Sequence, residues 1–193
     1  MPATPLMDPD QPNTYQRTSR SGLVLFGLLG LAACVVAIAW LAGRPRPIEL
    51  KLHAQTPTIL ARGWVNGEAP TQTSLDGKVV LIEVLATWCA PCRAMMPNMV
   101  KLHEQFAPRG VVFIGLTTDE EDAVAAMKRL LRHEGVRWPT GWGADQTIRE
   151  LGADHIPAVF VVGSGGHIVW AKGDGSELPR VLEAALKQST PRS

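Results

Sequence analysis

Cysteine is scarce: three residues in a chain of 193. That excludes a small secreted scaffold built on a lattice of disulfides. Charge of one sign is not in excess either, with 19 Lys and Arg against 18 Asp and Glu and a net charge of +1. The chain therefore lacks the basic surplus of a nucleic-acid binder, and no nucleic-acid partner is expected. No segment repeats. A second Cys pair is missing, and His103 has no second His at ligand spacing, so a four-ligand zinc site is not expected. Arg93 follows Cys92 where a c-type haem attachment needs His. Neither a metal nor a cofactor is expected. Finally, no charged residue occurs between Arg20 and Arg44.

What is present divides the chain into unlike parts. Residues 1–20 carry prolines at 2, 5, 9 and 12 among polar residues, the composition of a disordered tail. Residues 21–43 are uncharged. As a helix they span roughly 34 Å, enough to cross a hydrocarbon core of about 30 Å, and Trp40 fits an interfacial aromatic. A single transmembrane helix is the expectation. Leu31-Ala32-Ala33-Cys34 also resembles a bacterial lipobox, which would make Cys34 the lipidated first residue of a processed chain. The apolar residues continuing past Cys34 favour the retained helix. Arg17 and Arg20 on one flank against Arg44, Arg46 and Lys51 on the other leave the orientation nearly balanced by charge. Residues 44–62 open with Arg-Pro-Arg-Pro and read as a linker, in which the alternation of Glu49-Leu50-Lys51-Leu52-His53 fits a short edge strand or only a tether.

From residue 63 to 188 the pattern is that of one α/β domain, with 189–193 as a tail. Residues 79–85 (VVLIEVL) and 111–116 (VVFIGL) read as strands buried on both faces. Residues 92–106 read as a helix with Pro97 inside it. Thr118 and Glu121 form a capping-box signature for the next helix, whose apolar stripe is Val124, Met127, Leu130 and Leu131 and whose end is Gly135. Residues 145–151 read as a short helix, 158–162 and 167–171 as a hairpin, and Leu178, Val181, Leu182, Ala185 and Leu186 as one face of a closing helix. The order predicts a mixed sheet covered by helices on both sides, a three-layer α/β/α sandwich. The stretch 64–77 shows no clear strand pair.

Trp88-Cys89-Ala90-Pro91-Cys92 follows a buried strand and opens a helix. Unpaired N–H groups and the positive end of the dipole there favour a thiolate. Cys89 at the helix start is the expected exposed attacking sulfur. Cys92, one turn further in, is the shielded partner within disulfide reach. The chemistry this permits is exchange, with Cys89 attacking a disulfide and Cys92 resolving the mixed disulfide. A peroxide-reducing site of the peroxiredoxin pattern wants Pro and Thr or Ser seven and three residues before the reactive Cys; Ile82 and Ala86 stand there. Glu83 is a lone charge in a buried strand, six residues before Cys89. Burial without a partner raises a carboxyl pKa.

The run from Ala86 to Arg93, Pro97 five residues past Cys92, Ile156-Pro157 before the hairpin, and the Gly77-Lys78-Val79-Val80-Leu81 lead-in resemble the thioredoxin superfamily, and within it the TlpA/ResA-type branch of tethered thiol–disulfide oxidoreductases. The resemblance covers roughly residues 64–187. It implies a thioredoxin-like fold, a redox disulfide between Cys89 and Cys92, a cis peptide before Pro157, and pairing of the Ile156 backbone with the substrate chain. It implies Glu83 as general acid/base for Cys92, and Trp88, Ala90 and Pro91 as the shell of the site, with Trp88 packed beside the disulfide as its shield. Protein disulfides are the implied substrates, apocytochrome c among them, with a membrane thiol as electron donor. The implied place is the outer face of a bacterial inner membrane. An oxidase or isomerase of exported proteins, and a thioredoxin-fold binding module whose cysteines are structural, remain as alternatives. Met95 stands where many relatives of this branch carry Glu.

Overall fold

The computed structural model describes residues 52–172 and 175–189. The expected disordered tail, the transmembrane or lipobox segment with Cys34, the start of the linker and residues 190–193 lie outside the described residues.

Six strands form one sheet in the order β1-β4-β3-β2-β5-β6. They are β1 (Gly63–Val65), β2 (Val80–Leu85), β3 (Val112–Thr117), β4 (Thr140–Trp142), β5 (Ala158–Val162) and β6 (Ile168–Lys172). The pairs β2/β3 and β3/β4 are parallel, whereas β1/β4, β2/β5 and β5/β6 are antiparallel. The sheet is mixed, as the element order predicts. The helices are α1 (Gln72–Leu75), α2 (Ala90–Phe106), α3 (Val124–Glu134), α4 (Asp145–Leu151) and α5 (Leu178–Ser189).

β2 is buried at every position, Glu83 included, because aliphatic residues on both of its faces leave neither for water. Its side chains alternate between two cores. Leu81 and Leu85 join α2, α3 and α5 through Met96, Met99, Met127, Leu131, Leu178 and Leu182. Val80, Ile82 and Val84 join α4 through Ile148 and Leu151 on the opposite face. The sheet thus lies between two helical layers, a thioredoxin-like α/β/α sandwich.

Three local expectations are corrected. The stretch around residue 64 does contain a strand, β1, paired with β4; both are three-residue strands containing glycine, too short to show a period of two. The capping box of Thr118 and Glu121 does not form. A 3-10 turn at Glu121–Ala123 precedes α3, and neither it nor α3 has a side-chain cap, because the cap positions fall on Glu120, which pairs with Arg62, and on Ala123, which has no polar side chain. Residues 52–62 are no free linker: Ile59 is buried in the second core, and Gln55 bridges to His167. Gly135 ends α3 in the left-handed region at φ 81°, as expected.

Candidate redox site

The chain leaves β2 through a turn over residues 86–89, closed by the Cys89 N–H donating to the Ala86 carbonyl at 3.1 Å. α2 then starts with Cys89 as its N-cap and with Pro in its first turn, where the missing N–H costs nothing. Cys89 and Cys92 are joined by a disulfide, with Cα atoms 5.3 Å apart. The Cys92 N–H donates to Cys89 Sγ at 3.2 Å. In the reduced protein that unpaired helix N–H favours a thiolate on Cys89.

Cys92 has no exposed surface and Cys89 keeps 3%. The order of shielding is as expected, yet Cys89 is far less open than its place at the helix start suggested. Linked to Cys92 across one turn, its sulfur is drawn into the first core, against which Ile156 also packs. Trp88 is likewise corrected. At 70% exposure it is not a buried shield, since its central position in the turn points it away from the core. Ala90 and Pro91 form the exposed start of the helix.

The Ile156-Pro157 bond is cis, as the resemblance implies, and it leads directly into β5. His155 is exposed and bonded to Asp154, and this imidazole holds the Asp154 carboxyl below its usual range.

Glu83 lies in β2, paired in register with Gly115 on one side and Val159 on the other. By alternation it faces the same side of the sheet as Leu81 and Leu85, the side that carries both cysteines. It has no exposed surface, and neither carboxyl oxygen has a hydrogen-bond partner. Burial pushes its pKa from 4.5 up to about 8.

Sequence reasoning missed Asp119, a buried carboxylate just past β3. Its Oδ2 accepts the Thr87 N–H at 2.7 Å. The only signal was a short acid following a buried strand, and the neighbouring Thr118 drew attention as a cap instead. Among the described residues no three His, Cys, Asp or Glu side chains gather as a metal site. A cavity of about 170 Å³ lies against the second core, lined in part by Thr56, Ile59, Val80 and Ile82, away from the disulfide.

The model of the AhpC/TSA family matches residues 55–171. The thiol–disulfide oxidoreductase ResA of Bacillus thuringiensis (strain Al Hakam) is 32% identical over 144 residues, which is 74% of this chain and 81% of that one. Among solved structures, a thioredoxin-family thiol:disulfide interchange protein from Chlorobium tepidum TLS is 26% identical with a TM-score of 0.58, covering 69% of this chain and 97% of that one. A thiol–disulfide isomerase from Corynebacterium glutamicum shares the fold, at 23% identity and a TM-score of 0.59 over 68% of this chain and 96% of that one. The chain belongs to the AhpC/TSA family, as a thioredoxin-like thiol–disulfide oxidoreductase of the ResA type.

Proposed function

We propose that this protein is a membrane-tethered reductant of protein disulfides, anchored by residues 21–43 with its catalytic domain on the outer side of a bacterial inner membrane. The observation that carries the reading is the Cys89–Cys92 disulfide at the start of α2. The uncharged span of residues 21–43 supports the anchor.

In the reduced state, the Cys89 thiolate attacks one sulfur of a client disulfide and expels the other as a thiolate. Cys92 loses its proton and attacks Cys89 Sγ. The second client sulfur leaves, and the Cys89–Cys92 bond is remade. The client gains two electrons and two protons; the Cys pair loses them. A membrane dithiol returns them by the same exchange in reverse.

Glu83 is the proton acceptor for Cys92, acting through water. Its pKa, raised by burial to about 8, lets it hold a proton at neutral pH and still ionise to accept one as pH rises. Ile156, ahead of the cis bond, offers its backbone to the client as to an added strand, with Pro157 fixing that geometry. Ala-Pro between the cysteines resembles the Gly-Pro of reducing thioredoxins more than the Pro-His of strong oxidants, which supports the reducing direction. Apocytochrome c, whose haem-binding thiols must be reduced, is a fitting client class.

Trapping tests the reading. In native membranes, Cys92→Ser is expected to hold clients on Cys89 as mixed disulfides, and Cys89→Ser to hold none. Insulin reduction unaffected by either change would make the domain a binding module. A reduction potential near that of strong oxidants would reverse the direction. Glu83→Gln is expected to slow release of the mixed disulfide, and an unchanged rate across pH would remove Glu83 from the mechanism.

A further inference from the structure

We propose that Asp119 is the positioning residue for Cys89, holding the turn that presents the sulfur while its charge restrains the thiolate. The inference rests on Cys89 being the attacking sulfur.

The geometry is a three-way tie at one edge of the sheet. Asp119 lies two residues past the end of β3 and is 8% exposed. Its Oδ2 accepts the Thr87 N–H at 2.7 Å. Its own N–H donates to Thr117 Oγ1 at 2.9 Å, which fixes where the carboxylate points. Its carbonyl accepts the Gly143 N–H at 2.9 Å, and the Thr117 carbonyl accepts the Ala144 N–H at 3.0 Å. The loops after β2, β3 and β4 are thereby joined, with Asp119 at the centre.

Thr87 is the first central residue of the turn over residues 86–89. The bond that closes this turn uses the Cys89 N–H, so the Thr87 N–H finds no partner inside it. Asp119 supplies that partner. With the turn pinned at its start, Trp88 points outward and Cys89 inward to cap α2. Without the acceptor, the Thr87 N–H turns to water and the sulfur loses its fixed place. A shift of about 1 Å in a reacting atom costs on the order of 100-fold in rate.

The charge acts separately from the hydrogen bond. The carboxylate is held on the Thr87 N–H, two residues before Cys89, in the turn that the Cys89 N–H closes, so its charge acts on the sulfur from the same turn. An anion so placed disfavours a second one and raises the thiol pKa. Asp119→Asn keeps an acceptor oxygen and removes the charge, whereas Asp119→Ala removes both.

The test uses the full chain with Cys34→Ser and Cys92→Ser, leaving Cys89 as its one thiol, and follows iodoacetamide alkylation against pH. Glu83, Arg93 and the Asp154–His155 pair are the same in all variants, so a displaced profile is assigned to residue 119. Asp119→Asn is expected to reach a high-pH plateau within about twofold of the parent, with its inflection moved to lower pH. Asp119→Ala is expected to lose about tenfold or more at the plateau. An Asn profile that is not displaced downward, or an Ala plateau within about twofold of the parent, overturns the proposal. Should the Ala variant fail to fold, the Asn inflection decides alone. Oxidised insulin separates this result from the reading beneath it. If the parent captures no insulin on Cys89, the attacking role itself fails. If parent and variants all capture it with unchanged alkylation profiles, only the role of Asp119 fails.

Discussion

Glu83 shows what a single residue reveals before and after folding. An acid inside VVLIEVL is conspicuous in the sequence, and a raised pKa or a partner followed from it; the folded chain gives it no hydrogen-bond partner and a raised pKa. The direction of its side chain did not follow, because the face that β2 turns towards the cysteines depends on helices packed from distant parts of the chain. The same gap concealed Asp119, whose role exists only because the loop after β3 meets the loop after β2. Trp88 and Cys89 were misjudged for a related reason: one turn reverses the directions that a straight reading assigns them. The fully buried Glu83 also has a consequence for stability. Its pKa is about 8 in the folded protein against an ordinary 4.5. Between these values the folded state holds a proton that the unfolded chain has released. Stability from this residue is therefore complete below about pH 4.5, falls as pH rises by about 1.4 kcal/mol per unit, and levels off above pH 8. Urea unfolding from pH 5 to 9 is expected to show this decline in the wild type relative to Glu83→Gln. Parallel curves for the two would show that the acid is solvated or paired.

At the scale of elements, legibility followed length and composition. β2, β3 and β5 are five or six residues long, mostly aliphatic, β-branched or Phe, and stand out as strands. α3 and α5 were legible from apolar spacing. β1 and β4 owe their places to tertiary contact: a Cβ on Gly63 would lie 2.5 Å from the Trp142 indole, and one on Gly141 2.7 Å from the Ala61 Cβ, closer than side chains pack. Glycine weakens a strand signal in sequence yet is what permits this close approach. Gly115 in β3 is the sharpest case. It pairs with Glu83 on β2 and Thr140 on β4, and a Cβ there would lie 2.7 Å from Thr140 Oγ1 and 2.9 Å from its methyl. The sheet cannot yield without parting β3 from β4. Gly115→Ala is therefore expected to cost about 1–3 kcal/mol, read from the urea midpoint. Adding Thr140→Ala should recover part of that loss, because the two residues compete for one volume. Additive losses in the double variant would place the strain elsewhere.

For the molecule as a whole, the informative correction is where the domain begins. Arg-Pro-Arg-Pro made residues 44–62 look like a linker, and the one sign that part of it docks was the alternation running up to His53, which fits a short edge strand as well as a tether. It docks because it satisfies two needs of the sheet. β6 is an edge strand, and the His53 N–H donates to the Ile168 carbonyl while the Ile168 N–H donates to the Ala54 carbonyl, at 2.7 and 3.0 Å, covering backbone groups that would otherwise invite pairing with another chain. Ile59 fills the second core, and Thr147 Oγ1 accepts the Leu60 N–H at 2.8 Å while donating to the Leu60 carbonyl at 2.9 Å. This strap packs on the face opposite the cysteines, so it steadies the fold while leaving the disulfide side to clients. A chain beginning at residue 63 forfeits the burial of Ile59, about 2 kcal/mol, and leaves the buried Thr147 hydroxyl short of its partners, about 1–3 kcal/mol more. Against a chain beginning at residue 52, it is expected to unfold at a clearly lower urea concentration and to self-associate through the bared edge of β6. Equal midpoints and equal sedimentation for the two would mean that residues 52–62 contribute nothing to the fold and serve only as a tether.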